Sequence, residues 1–190
     1  MKKVIITGFG AFHTHRENPS EALIREMTSF KEEIDYQTTL LPVVFSKIPG
    51  KVSELGPIED ADALIFCGLA ASRNEITPEK IALNWVYSPE RKDNEGVDFH
   101  VGRPLIEGAP LALMSTFNVE GLSDHFNNDQ LKSRVSFSAG TYVCNQTFFE
   151  GLNRLKVKGL ETPCTFLHLP SDVDVKKLAA SLHHFLKTTL

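Results

Sequence analysis

The sequence predicts an α/β fold with helices covering a sheet. Short apolar runs alternate with amphipathic stretches along the whole chain, the pattern of strands interleaved with helices. Several of those runs are apolar on both faces, as strands buried between two helix layers must be. No internal repeat, low-complexity tract or Pro/Gly/Ser linker divides the 190 residues, so residues 1–190 read as one domain.

The strand-like runs are Lys3 to Thr7, Thr38 to Phe45, Ala63 to Cys67, Leu111 to Ser115, Arg134 to Ser138 and Thr165 to Leu169. Helices announce themselves by their caps and periodicity. Asn18-Pro19-Ser20-Glu21 sets a capping Asn before Pro at the first helical position, followed by Glu, a capping box opening Ser20 to Met27. Lys47 to Leu55 reads as a second, irregular helix because of Pro49 and Gly50. Cys144 to Leu155 places Phe148, Leu152 and Leu155 on one face, and Val173 to Lys187 does the same with Val175, Leu178, Leu182, Phe185 and Leu186. Residues 76–88 support two readings: Thr77-Pro78 resembles a helix start, with Glu79 exposed in its first turn, whereas Ile81, Leu83 and Trp85 alternate as in a strand.

Composition narrows the function. Hydrophobic residues make up 42% and charged residues 23%, with 13 Phe to fill a core, so neither a disulfide nor a metal staple is needed for stability. Twenty basic against 24 acidic residues give a net charge of −4, against the basic excess that nucleic acid or an anionic membrane would require. The opening MKKVIITGFGAF is too short and too interrupted for a leader peptide and fits a first strand. With an odd three cysteines and no CxxC pair, the chain reads as a reducing, cytoplasmic protein with free thiols. No run approaches the length of a membrane span.

The stretch VSFSAGTYVCNQTFF carries the strongest chemical signal. A strand runs into Gly140, a turn residue, and a helix begins near Cys144. A thiol in the first turn of a helix faces unpaired amide N–H groups and the positive end of the dipole, which favour thiolate. Strand, glycine turn, nucleophile and helix is also the arrangement of a nucleophile elbow. The alternative is that Cys144 is a small buried hydrophobe. A nucleophilic thiol needs a proton carrier, and His168 ends the apolar strand TFLHLP where α/β sheets open their ligand crevices. A core His bonded to backbone is the competing reading. Cys164 sits four residues from His168 on one strand, some 13 Å away at about 3.3 Å per residue, too far to pair with it. Cys67 reads as strand packing.

Two weaker signals are present. Gly8 and Gly10 imitate the start of a dinucleotide fingerprint, but His13 holds the third glycine position. His13, His15 and Glu17 could bind a metal weakly, but their loose spacing without a distant ligand pair favours a solvated loop.

Eight motifs, in order, resemble the pyroglutamyl peptidase I family of cysteine exopeptidases. They are TGF-x-x-F at Thr7 to Phe12 with Asn18-Pro19, LPVVF at Leu41 to Phe45, GLAASRNEITPEKIALN at Gly68 to Asn84, DNEG at Asp93 to Gly96, GAP at Gly108 to Pro110, Ser115-Thr116, SAGTYVCN at Ser138 to Asn145, and FLHLP at Phe166 to Pro170. The resemblance implies a three-layer α/β/α sandwich around a mostly parallel, mixed sheet. It implies a Cys-His-Glu triad of Cys144, His168 and Glu79, no cofactor or metal, a homo-oligomer (dimer or tetramer), and N-terminally blocked pyroglutamyl peptides as substrates. Phe9 and Phe12 match the family's aromatic wall, Tyr142 and Val143 flank the nucleophile, and Asn18 and Leu69 match positions near the site. The chain departs from the family pattern at His13-Thr14, Ala71-Ser72 and Glu90 to Lys92; Arg73 is kept, while at Glu90-Arg91-Lys92 the family's Arg is lost or displaced by one. These departures leave two rival readings: an amide hydrolase for another small acyl group, and a non-catalytic binding or redox-sensing protein using Cys144.

Overall fold

The computed structural model describes residues 1–12 and 17–190. In chain order the elements are β1 (Lys2–Phe9), α1 (Pro19–Met27), β2 (Ile34–Leu41), α2 (Ile48–Glu54), β3 (Ala63–Leu69), β4 (Thr77–Glu79), β5 (Ile81–Leu83), β6 (Val86–Ser88), β7 (Phe99–Arg103), β8 (Ala112–Met114), α3 (Val119–Asn128), α4 (Val143–Val157), β9 (Cys164–Leu169) and α5 (Val175–Thr189). The central sheet has the order β2-β1-β3-β9-β4, parallel except for β4, which pairs antiparallel to β9.

Side-chain alternation along the buried strands builds the layers. Val4 and Ile6 of β1, Ile65 and Cys67 of β3, and Leu167 and Leu169 of β9 pack with α1, α3 and α5. Their neighbours Ile5, Leu64, Phe66, Cys164 and Phe166 point the other way, into a second core with α2 and α4. Every residue of β3 and of β9 is buried, so both faces of the central strands are covered, as the expected α/β/α sandwich demands. Because period-two alternation is strict, His168 emerges on the α4 side with Phe166, and Gly68 shares that side with Phe66.

Several sequence expectations shift. The strand expected at Thr38 to Phe45 lies at Ile34–Leu41, where Pro42 stops it, and Phe45–Lys47 winds into a 3₁₀ turn before α2. The run Leu111 to Ser115 yields only the three-residue β8, paired with β5 outside the central sheet. The strand expected at Arg134 to Ser138 is not formed as a continuous element. Instead this segment touches β4 and its approach through two isolated parallel bridges, Ile76 with Ser133 and Glu79 with Ser136. Arg134 N–H donates to Ile76 O and Ser136 N–H to Pro78 O; the donor that would join them is the N–H that Pro78 lacks. The ambiguous residues 76–88 resolve into three short strands, so Glu79 is a buried strand residue and not an exposed helix-start carboxylate. Helix α3 was not anticipated, although Asn118 caps it by accepting from Gly121 N–H at 2.9 Å. His125 lies on this helix, and His100 lies on β7.

The expected cap of α1 is half realised. Asn18 Oδ1 accepts from the Ser20 N–H at 3.1 Å, while the Glu21 carboxylate turns to Arg25 and not back to the cap. Gly8 is also explained: a Cβ there would lie 2.4 Å from Ser20 O, so the glycine lets β1 touch the start of α1.

Candidate active site

At the C-terminal ends of β1, β3 and β9 the sheet opens into a cavity of about 1210 Å³, lined by Phe9, Leu69 and His168 from those strand ends. Crevices at this edge are where parallel α/β sheets bind ligands. Phe12 and Asn18 close one side, and Tyr142, Val143 and Cys144 bring in the start of α4. Eight of the nine residues singled out from sequence thus border one space. The ninth, Glu79, is fully buried behind His168. His13 and His15 lie outside the described residues, as does the His13-Thr14 departure.

Local structure explains each placement. Gly140 adopts φ +80°, which sends the chain sharply from the edge of β4 into α4. Tyr142 is the residue before the first helical turn and offers no side-chain cap, so Cys144 sits among amide N–H groups that the helix itself leaves unpaired. Gly68 is the register partner of His168 on the adjacent parallel strand. A Cβ on Gly68 would lie 3.1 Å from Cys144 Sγ and 2.8 Å from Phe166 Cζ. Strands lie about 4.8 Å apart, and register partners project to the same side. The sulfur is therefore seated over the glycine, on the face from which the His168 imidazole rises.

Behind the imidazole, His168 Nδ1 lies 2.7 Å from Glu79 Oε1. The antiparallel register of β4 and β9 opposes Thr77 to His168 and Glu79 to Phe166, putting the carboxylate diagonally across from the ring. The same Oε1 accepts from Arg73 Nη1 at 2.6 Å, while Arg73 Nη2 donates to Ser138 O at 3.0 Å. Arg91, exposed at the rim, sets its guanidinium 5.3 Å from the centroid of the Tyr142 ring, whose hydroxyl donates to Lys92 O. Arg91 thus lines the cavity. Sequence reading passed over Gly68 and treated Arg73 only as a retained residue; its position six before Glu79 gives no hint of the ion pair.

Electrostatics set the resting protonation states. Burial pushes the Cys144 thiol up to about 12, with Glu79 adding to it; Arg91, Arg73 and the backbone amide of Cys144 itself pull the other way. The backbone amide at the helix start thus favours the thiolate, as expected, against the larger opposing effect of burial. Burial lowers His168 below the ordinary imidazole range despite the Glu79 carboxylate, and Arg73 and Arg91 lower it further. Burial works against ionised Glu79, but the hydrogen bond and charge of His168 and the charge of Arg73 outweigh it and keep its pKa below the usual range. Cys67 and Cys164 are fully buried in the sheet, with thiols raised by desolvation alone. Among the described residues no group of three His, Cys, Asp or Glu is arranged to hold a metal ion.

The chain resembles known proteins over nearly its full length. It is 36% identical over 185 residues to the pyrrolidone-carboxylate peptidase of Halalkalibacterium halodurans, covering 96% of this chain and 89% of that one. It is 35% identical over 168 residues to that of Thermococcus kodakarensis, covering 88% and 81%. The crystal structure of pyrrolidone carboxyl peptidase from Thermus thermophilus superposes with a TM-score of 0.85 at 31% identity, covering 97% of this chain and 98% of that one. Residues 2–181 match the family described as pyroglutamyl peptidase, and the chain belongs to that family of cysteine peptidases.

Proposed function

We propose that this protein hydrolyses the amide bond following an N-terminal pyroglutamyl residue, with Cys144 as nucleophile, His168 as proton carrier and Glu79 as the group that fixes the imidazole. The observation carrying this reading is the convergence on one cavity of Cys144 Sγ, seated over Gly68, and His168, with Glu79 bonded behind the ring.

The thiol is neutral at rest and His168 is neutral, so attack and deprotonation are coupled. His168 Nε2 takes the thiol proton as Sγ bonds to the pyroglutamyl carbonyl carbon. Amide N–H groups in the first turn of α4 receive the developing oxyanion. Collapse breaks the carbon–nitrogen bond, and His168 gives its proton to the departing amine, which leaves as the shortened peptide. Water, deprotonated by His168, then attacks the thioester; pyroglutamate leaves and the thiol is restored. Glu79 stays ionised throughout, holding the proton on Nδ1 so that Nε2 is the basic nitrogen.

Substrate choice follows from the walls. A pyroglutamyl group is a flat, uncharged lactam without a free α-amine, so it needs apolar surfaces and a few hydrogen bonds in place of a carboxylate for an ammonium. Phe9, Phe12, Tyr142 and Val143 supply the surfaces, and Asn18 and the backbone at Leu69 supply polar groups at the edge.

The same reading comprises a single domain over residues 1–190, a cytoplasmic location and a homo-oligomer, dimer or tetramer, acting on N-terminally blocked peptides. No helix among the described residues is long and apolar enough to cross a membrane. The test is release of a fluorophore from a pyroglutamyl amide. Cys144→Ala should lose at least about 10³-fold in kcat while keeping its fold. Wild-type-like turnover by that variant refutes the nucleophile, and equal turnover of acetyl, prolyl and pyroglutamyl amides by the parent refutes the substrate.

A further inference from the structure

Resting on that reading of the site, we infer that Arg73 is a positioning residue for the reaction. Its guanidinium fork fixes the Glu79 carboxylate and ties it to the turn that carries Cys144.

Three contacts from one side chain carry the inference. Arg73 Nη1 donates to Glu79 Oε1 at 2.6 Å and also to the Thr77 hydroxyl, two residues earlier on the same edge strand. Arg73 Nη2 donates to Ser138 O at 3.0 Å, two residues before Gly140 turns the chain into α4. The carboxylate and the nucleophile come from separate segments, which meet at the interrupted bridges around Pro78. Arg73 spans that break. A planar fork with fixed N–H directions can hold a carboxylate and a carbonyl together, whereas an ammonium is a point charge.

The ion pair is also well shielded. The Glu79 side chain is wholly buried and that of Arg73 is 23% exposed, facing the cavity. A carboxylate removed from water is held by charged and hydrogen-bonding partners, and Arg73 supplies a cation in direct contact with it beside the His168 ring. Both donors share Oε1, so Arg73 also sets which way the carboxylate presents itself to His168.

The groups facing His168 are Glu79 from β4, Cys144 from α4, Arg73 from the segment after β3 and Arg91 from the segment after β6. Removing the Arg73 charge withdraws a cation that opposes imidazolium, so the titration midpoint of His168 must rise.

The experiment compares Arg73→Gln and Arg73→Lys with the parent by two readouts. One is the His168 titration followed by NMR, its resonance assigned by loss in His168→Gln; the other is kcat and KM on a pyroglutamyl amide. In R73Q the midpoint should rise by about one pH unit and kcat should fall about 10- to 100-fold with KM within about twofold. In R73K the midpoint should stay near the parental value while kcat is only partly restored, because the charge is kept and the fork is lost. An unmoved midpoint or an undiminished kcat in R73Q overturns the inference. If R73Q does not fold, parental kcat in R73K overturns it. A parent that titrates as expected but never cleaves the amide sinks the proposed function and leaves the titration to decide on Arg73.

Discussion

His168 and Glu79, 89 residues apart in sequence, are joined by a 2.7 Å hydrogen bond between Nδ1 and Oε1 across the β4–β9 pair. The imidazole has two nitrogens and only one can face the cavity as a base. Glu79→Gln keeps the shape of the carboxylate but can present an N–H to Nδ1, which then stabilises the wrong tautomer. We expect kcat to drop by about 10³- to 10⁴-fold with little change in KM, as tautomer loss does in hydrolytic triads. Steady-state kinetics beside a circular dichroism spectrum check this. A Gln variant with parental kcat would mean that the carboxylate only packs.

A second expectation concerns pH. His168 must be neutral to accept the thiol proton, and its pKa is lowered by burial and by two arginines. The acidic limb of kcat/KM should therefore fall below pH 6.5, the ordinary imidazole value of about 6.5 marking its upper bound. Thiol reactivity gives the complementary sign. Burial disfavours the charged form of Cys144 and lifts its pKa to about 12, so the thiolate fraction should keep rising through neutrality. Alkylation of Cys144 by iodoacetamide should accelerate about tenfold per pH unit from pH 6 to 8. A rate that levels off near pH 6 would show a preformed thiolate–imidazolium pair instead.

Gly68 gives a steric prediction. In Gly68→Ala the new methyl would stand 3.1 Å from Cys144 Sγ and 2.8 Å from the Phe166 ring. Phe166 is fully buried and packs within 4.6 Å of the His168 ring, centroid to centroid, so it has little room to withdraw. Overpacking here should cost about 1–3 kcal/mol in stability and displace the sulfur from the imidazole. Denaturant melts and kcat of the alanine variant would both fall; parental values for both would mean that the space beside Sγ is larger than the geometry says.

What sequence could and could not show follows from the range of the interactions. Cys144 and His168 are marked by local grammar: a glycine turn into a helix, and an apolar strand halted by Pro170. The two-faced burial of β3 and β9 is likewise written in unbroken apolar runs. Glu79 was reached only through family resemblance, because three residues, TPE, are too few to show a period, and the preceding pattern reads equally as a helix start. Its burial is produced by β9, nearly 90 residues later. Gly68 and Arg73 were passed over for the same reason: the atoms that give them meaning, Cys144 Sγ and Ser138 O, arrive from a distant segment. The segment 134–138 misled in the opposite direction. It has strand composition, but its partner edge contains Pro78.

Asn18 separates a structural role from a functional one. Its Oδ1 caps α1 through the Ser20 N–H at 3.1 Å and accepts from the Ser20 hydroxyl at 2.8 Å, while its Nδ2 donates to Gly10 O at 3.1 Å beside the cavity. Asn18→Ala removes both ends and should cost about 1 kcal/mol through the lost cap. Asn18→Asp keeps the capping oxygen but turns its other carboxylate oxygen toward Gly10 O at a buried site, so it should lose more stability than the alanine variant, about 1–3 kcal/mol. Its charge would also lie at the edge of a cavity suited to an uncharged lactam. KM for a pyroglutamyl amide, measured at a temperature where both variants are folded, should therefore rise further in the aspartate variant than in the alanine variant. Equal KM values for the two folded variants would make Asn18 a helix cap and nothing more.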